Sequence, residues 1–175
     1  MRVHRWLLPV ALLCLAATAQ AGPKAKDAGE STAAQKLKER THAPKAADID
    51  PAAALDALLT KSGPDDWSQD KAAALTGVLV QVEREEDGDT HITLAPQGKE
   101  TDTTQWVVCE ITPEWRKKVP ALAASKLQKL LHQEVKVTGW LFYEPDADQP
   151  DPRGTRWELH PVTGIGAVNA PARVK

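Results

Sequence analysis

The sequence predicts a mainly β fold in which five strands surround one small core and a helical stretch separates the third strand from the fourth. β-Branched and aromatic residues concentrate in five short runs, apolar and polar residues alternate within the runs, and turn-forming residues lie between them. The five runs are 75–83, 90–94, 105–111, 135–143 and 157–165. Three strands, a helix and two more strands is the order of an OB-fold, a five-stranded Greek-key barrel, which we place at residues 74–168.

The alternation within the runs also predicts which side chains fill the barrel. In the second run Ile92 and Leu94 must face inward, which turns Asp89 and His91 outward. Cys109 falls on an inward row and is expected to be a buried, unreactive thiol. The predicted inward rows contain Val78, Val80, Ile92, Leu94, Val107, Ile111, Val137 and Leu141.

A short helix is predicted before the barrel, within a lead-in segment at residues 47–73. Asp50 suits the N-cap of this helix and Pro51 suits its first position. The pair Gly63-Pro64 suits its end, and Trp67 could anchor it to the barrel. This segment therefore adds one short N-terminal helix to the barrel.

The stretch between the third and fourth strands carries its own helix signals. Thr112 is a favourable N-cap, and Pro113 is favourable at the first helical position. Pro120 interrupts the pattern, so we predict a short turn at 113–118 and a main helix at 120–132. The apolar stripe of the main helix would consist of Leu122, Leu127, Leu130 and Leu131.

The first 21 residues have the features of a secretory signal peptide. A charged start precedes a mostly apolar run at 6–17, and the small-residue sequence Ala19-Gln20-Ala21 follows it. The apolar run is too short for a transmembrane anchor. We therefore expect a secreted or periplasmic bacterial protein with no transmembrane anchor, in which a disordered linker at 22–46 follows the signal peptide. The tail at 169–175 has no pattern.

The mature chain is expected to begin at Gly22, because Ala19-Gln20-Ala21 matches the cleavage pattern of signal peptidase. The intact mass of protein recovered from the periplasm or the medium checks this prediction. A mass that corresponds to a chain carrying lipid on Cys14 would contradict it.

The charge of the chain disfavours polyanionic partners. Removal of Arg2 and Arg5 with the signal peptide leaves 20 basic and 24 acidic residues, a net charge of −4. Residues 70–168 contain 11 Lys/Arg and 16 Asp/Glu. Because nucleic-acid binding needs a basic surface, we expect this protein to bind single-stranded DNA no better than weakly at physiological salt.

Two pairs of polar residues could carry chemistry. Asp89 and His91 lie two apart on the second strand, and Glu158 and His160 lie two apart on the fifth, so each pair leaves one face of its strand. Carboxylate and imidazole together can ligate a metal or act as an acid–base pair. The alternative is structural: the histidines bond backbone or loop groups separately, with His160 bonded locally next to Pro161. We predict the structural case and assign no metal, with His91 and His160 as the candidate ligands should one bind.

The same positions carry a family resemblance. Asp89-Thr-His91-Ile92 and Trp157-Glu-Leu-His-Pro-Val162 resemble the D-x-H and (I/W)-E-L-H-P-V strand motifs of small bacterial secreted OB-fold-like domains of unassigned function. The similarity covers roughly residues 75–168. It implies the barrel fold and draws attention to Asp89, His91, Glu158 and His160, without implying an activity.

Aromatic residues form the other candidate surface, because OB-folds can stack ligands on exposed aromatic side chains. Trp106, Tyr143 and Trp157 lie on predicted strands and join the two polar pairs as candidate ligand-binding residues. Trp140 lies among apolar residues and is expected in the core. Trp106 and Trp157 could also pack on each other or cover the barrel.

Together these features predict a non-catalytic binding or interaction module for a protein or a small ligand. We expect a monomer without a cofactor, and we assign no catalytic residue, because the chain has no nucleophile motif, phosphate loop or CxxC pair. Two alternatives stay open. One is binding of single-stranded nucleic acid, and the other is a metal-dependent hydrolase that uses Asp89, His91, Glu158 and His160.

Overall fold

The computed structural model describes residues 32–145 and 153–168. Five strands close into a barrel in the order β1-β2-β3-β5-β4. Neighbouring strands are antiparallel, except that β3 and β5 run parallel where Cys109 pairs with Leu159. The strands are β1 (Ala72–Arg84), β2 (Thr90–Ala95), β3 (Val107–Ile111), β4 (Glu134–Tyr143) and β5 (Trp157–Ala167). The predicted fold class, a mainly β five-stranded barrel with helical turns between the third and fourth strands, is confirmed.

The helices are short. They are α1 (Thr32–Lys38), α2 (Leu55–Thr60), α3 (Pro113–Lys118) and α4 (Ala124–Leu127), with 3₁₀ turns at Ala46–Asp48, Thr103–Gln105, Pro120–Leu122 and Gln128–Leu130. The turn at 113–118 is confirmed, since the Thr112 hydroxyl accepts the main-chain N–H of Trp115 as an N-cap. The single main helix at 120–132 is wrong: the chain is extended at Ala123 and makes separate short turns on either side of it. Leu122 and Leu127 are nevertheless buried.

The start predicted for the first helix of the lead-in segment is also wrong. The helix begins after Ala54 rather than at Pro51. The Asp50 carboxylate accepts the main-chain N–H of Ala52 at 2.9 Å, which makes a local turn before the helix instead of its cap. Trp67 packs against the core, as predicted.

The barrel core contains most of the predicted inward residues. Ile92, Leu94, Val107, Ile111, Val137 and Leu141 all belong to it, and so does the fully buried Cys109. The inward row predicted for β1 is confirmed only in part. Val78 is buried, as predicted, at 7% exposure, but it lies outside the core cluster, to which this strand contributes Leu75 and Leu79. Val80 is only half-buried. A register shift in the β1–β2 pairing between Leu79 and Gln81 interrupts the regular alternation of this strand at Val80.

Residues 32–48, the N-terminal strap, lie along the outside of the barrel. Two buried tryptophans, Trp115 and Trp140, donate their indole N–H groups to main-chain carbonyls of the strap at 2.7 and 3.0 Å. The structure therefore corrects the linker predicted at 22–46, because its described part carries a helix and specific hydrogen bonds. Its low apolar content does not prevent order, since the barrel supplies the aromatic side chains that hold it.

The predicted signal peptide at 1–21, the first residues of the linker and the tail at 169–175 lie outside the described residues, as does 146–152. Within the ranges that the structure describes, no helix has the length and apolar character needed to cross a membrane.

Candidate functional site

The polar residues of three neighbouring strands meet on the outer face of the barrel. In β2, β3 and β5 the inward positions are taken by Ile92, Cys109 and Leu159, so the intervening polar side chains face outward. Strand pairing places His91 directly opposite Glu110, while Cys109 pairs with Leu159 on the other side of β3. The two predicted histidine pairs therefore lie on either side of one glutamate.

Glu110 joins the two histidines. Its Oε1 atom lies 3.1 Å from Nε2 of His91, and its Oε2 atom lies 3.0 Å from Nδ1 of His160. Nδ1 of His160 is also 3.2 Å from Oε1 of Glu158, and Nε2 of His160 is 3.7 Å from Oδ2 of Asp89. The expectation that the histidines bond separate backbone or loop groups is wrong. Only β3 lies between β2 and β5, and the Glu110 carboxylate on β3 contacts the imidazole rings of both histidines. The local bond of His160, to Glu158, is present.

A bulge in β5 positions His160. Leu159 pairs with Leu141 and Val162 pairs with Gly139, so two residues of β5, His160 and Pro161, oppose one residue of β4. The His160–Pro161 peptide bond is cis. Gly139 is required opposite the bulge, because a Cβ atom there would lie 2.9 Å from the carbonyl oxygen of Pro161.

A buried arginine completes the cluster. Nη1 of Arg153 lies 3.0 Å from Oε2 of Glu158, whose side chain is fully buried. Arg153 thus neutralises the end of the Glu158 carboxylate that points away from His160. Two residues of the cluster, Glu110 and Arg153, were missed by sequence reasoning. Glu110 carries a usable signal, since it is the only charged residue in the apolar run 107–111. The local sequence of Arg153 carries no such signal.

The electrostatics of the cluster favour charged imidazoles. Burial opposes the charged form of His160, but the charges and hydrogen bonds of Glu110 and Glu158 outweigh it and raise its pKa to about 10. Burial likewise opposes charge on His91, and Glu110 with Glu85 raises its pKa to about 9. The two imidazoles in turn hold the pKa of Glu110 below its ordinary value despite burial.

The remaining carboxyls respond mainly to burial. Burial, with the nearby Glu110 charge, raises the pKa of Glu158, while His160 and Arg153 act in the opposite direction. Burial also raises the pKa of Asp89 to about 6, against the opposing charge of His160. Each carboxyl group of the cluster has at least one imidazole or guanidinium group beside it.

One edge of this network opens into a cleft of about 760 Å³. Its floor contains Asp89, Glu110 and His160, and its walls come from the N-terminal strap and α3. The residues that line it are Gln35, Lys38, Glu39, Thr41, Asp87, Asp89, Glu110, Thr112, Pro113, Glu114, Lys117 and His160. A more open depression of about 470 Å³ lies across β1, β4 and β5, where Lys136 is the one ionisable residue among the described lining residues.

The aromatic candidates lie away from the cleft lining. Trp157 is fully buried, donates its indole N–H to the carbonyl of Gly63 at 2.8 Å and packs edge-on against Tyr143. Trp106 is half-buried just before β3 and donates to the carbonyl of Glu100 at 3.2 Å. Of the predicted site residues, Asp89 and His160 line the cleft. His91 and Glu158 are not among its lining residues; His91 contacts Glu110, and Glu158 contacts His160.

No protein-family model matches the chain, and no curated protein matches its sequence.

Proposed function

We propose that the protein is a non-catalytic binding module that holds a small cationic ligand in the cleft above β2, β3 and β5. One observation carries the proposal: Asp89, Glu110 and His160, which lie on three strands, converge at the floor of this cleft. We further propose, from the features of residues 1–21, that it acts in the periplasm or outside the cell.

The charge of the cleft supports a cationic ligand. Its described lining contains five carboxylates, from Glu39, Asp87, Asp89, Glu110 and Glu114. They face two lysines and one histidine; Nζ of Lys38 also lies 2.7 Å from a carboxylate oxygen of Glu144. A ligand with an ammonium group would find carboxylate acceptors at the floor, and charge-assisted hydrogen bonds of this kind are stronger than neutral ones.

The same carboxylates would repel a phosphate backbone, so they support the small ligand over the alternative of single-stranded nucleic acid. We propose that the protein acts as a monomer. Catalysis is not part of this proposal.

Titration of chelator-treated, ¹⁵N-labelled protein with matched amines and neutral analogues tests the proposal. Glucosamine and putrescine are expected to shift the backbone amide signals of residues 87–91 and 110–114 in a saturable way, because both present an ammonium group to the floor. N-acetylglucosamine and 1,4-butanediol, which lack it, are expected to leave these signals in place.

A pair of variants separates the floor from general surface charge. Asp89→Asn removes a carboxylate at the floor, whereas Asp65→Asn removes an exposed carboxylate outside the cleft lining. The amine-induced shifts should disappear in the first variant and persist in the second. Shifts that are absent from the wild type, or equal in the two variants, would rule out the cleft as a cation-binding site.

A further inference from the structure

We propose that the surface under the N-terminal strap is a docking site for an extended basic segment of a partner protein, and that the strap occupies it as an internal ligand. This surface, the strap groove, consists of Trp115 and Lys118 on α3, Trp140 and Phe142 on β4, and Glu144 just after β4. None of these five residues lines the cleft, so the groove is a second site, independent of the cationic ligand proposed above.

Two aromatic residues on the outer face of the barrel form the base of the groove. Trp140 and Phe142 lie two residues apart on β4 and therefore leave the same face of the strand. Leu141 between them belongs to the core cluster, whereas they do not, so their face is the outer one. The strap lies against both rings, which are only 5% and 1% exposed. An apolar patch on an outer face is typical of a protein interaction site.

The groove binds the main chain of the strap. Nε1 of Trp115, Nζ of Lys118 and Nε1 of Trp140 donate to the carbonyls of residues 40, 41 and 42 at 2.7, 3.2 and 3.0 Å. Every peptide presents such carbonyls, so these three bonds do not depend on the side chains of the strap. Main-chain hydrogen bonds of this kind give peptide-binding sites their affinity, and pockets for side chains give them their specificity.

The side-chain pockets of the groove favour cations two residues apart. Nζ of Lys38 lies 4.9 Å from the centre of the Phe142 ring and 2.7 Å from a carboxylate oxygen of Glu144. The Arg40 guanidinium lies 4.5 Å from the centre of the Trp140 ring. Aromatic faces and carboxylates both attract ammonium and guanidinium groups. The groove therefore fits a segment with Lys or Arg at alternate positions.

The strap is held in a way that allows another segment to replace it. No residue in 32–48 is buried, and none belongs to the core cluster. Nη2 of Arg40 donates to the carbonyl of Gln69 at 2.9 Å, but its Nη1 atom is buried without a hydrogen-bond partner among the described residues. Such an atom lowers stability. A segment with few buried apolar contacts opens at a lower free energy than the whole fold, so the strap can leave while the barrel stays folded.

Fluorescence anisotropy with a labelled peptide of residues 36–45, Lys-Leu-Lys-Glu-Arg-Thr-His-Ala-Pro-Lys, tests the proposal on the full chain. In the wild type the tethered strap competes at a high effective concentration, so the peptide should bind weakly. The full-length variant Lys38→Ala/Arg40→Ala weakens the strap and leaves the groove intact. It should bind the peptide at least about tenfold more tightly than the wild type. A scrambled peptide of the same composition should bind this variant at least about tenfold more weakly, because its cations are spaced differently.

Matched tryptophan variants, made in the Lys38→Ala/Arg40→Ala chain, locate the binding. Trp140→Phe removes a donor of the groove and should weaken peptide binding about fivefold or more. Trp106→Phe removes an indole that donates to the carbonyl of Glu100 instead, and it should leave binding unchanged. Glu144→Gln is a second groove variant, which should also weaken binding should Trp140→Phe fail to give the circular dichroism of a folded barrel.

Three results would overturn the docking site. They are equal affinity of the wild type and Lys38→Ala/Arg40→Ala for the peptide, equal affinity for the scrambled peptide, and equal binding by the Trp106→Phe chain and the groove variants. Light scattering provides a further test. A wild-type dimer that grows with concentration and is lost in Lys38→Ala/Arg40→Ala would identify the occupant as the strap of a second copy, which would also contradict the proposal.

Discussion

Replacing Glu110 with alanine is expected to lower the free energy of unfolding by about 3–5 kcal/mol at pH 7, the usual cost of removing one partner from a buried ionic network. Glu110 is nearly buried and faces His91 and His160 at 3.1 and 3.0 Å. Its loss leaves two imidazolium groups beside a desolvated gap. His91 then keeps Glu85 at 3.6 Å and His160 keeps Glu158 at 3.2 Å, so the compensation of their charge is incomplete. Urea denaturation of metal-free protein, followed by tryptophan fluorescence, measures this change.

Glu114→Ala provides the matched control. Glu114 pairs with Lys118 at 2.7 Å on the surface, with both side chains about half exposed, so its loss should cost less than about 1 kcal/mol. The loss of unfolding free energy in Glu110→Gln should fall between those of Glu110→Ala and Glu114→Ala, because the amide keeps the shape and one acceptor oxygen but loses the charge. A cost for Glu110→Ala no larger than that of Glu114→Ala would mean that the cluster does not stabilise the barrel.

The cost of Glu110→Ala should also depend on pH. The pKa values of His91 and His160 are raised from 6.5 to about 9 and about 10. Stability from these imidazolium groups is therefore complete below pH 6.5 and is lost as the pH rises through 9 to 10. The lowered pKa of Glu110 acts in the opposite sense, so its contribution is present above 4.5 and declines at lower pH. The difference between the wild type and Glu110→Ala should be largest between about pH 4.5 and pH 6.5 and should narrow towards pH 10.

The barrel could be predicted from the sequence because its signals are local. The turn residues between runs and the inward alternation of Ile92 with Leu94 need no knowledge of neighbouring strands. The inward-facing residues of β1 could not be predicted in the same way, because the irregularity near Val80 arises from the hydrogen-bonded pairing of β1 with β2. Where one residue interrupts the alternation, every side chain beyond it points to the face opposite to the one that a regular pattern predicts.

Only the part of the candidate site that depends on local spacing could be predicted from the sequence. Spacing within a strand places Asp89 with His91, and Glu158 with His160. It does not reveal that β5 lies parallel to β3, which brings both pairs to Glu110. The N-terminal strap is a similar case: its order depends on Trp115 and Trp140, which are far away in the sequence.

Ile92→Ala is expected to lower the free energy of unfolding by about 2–5 kcal/mol, the range for truncating a large aliphatic side chain in a packed core. Ile92 is fully buried in the core cluster at the centre of β2, opposite Cys109 and Val82. Truncation would leave a cavity that the neighbouring strands, fixed by their hydrogen bonds, cannot close completely.

Leu79→Ala and Val80→Ala extend this test to the strand whose faces the sequence did not predict correctly. Leu79 is fully buried in the core and Val80 is half-buried beside the irregular pairing of β1 with β2. Chemical denaturation should therefore give a large loss for Leu79→Ala, comparable with that for Ile92→Ala, and a clearly smaller one for Val80→Ala. The opposite order would mean that β1 keeps the regular alternation through Val78 and Val80, and that this part of the barrel is paired differently from the structure described.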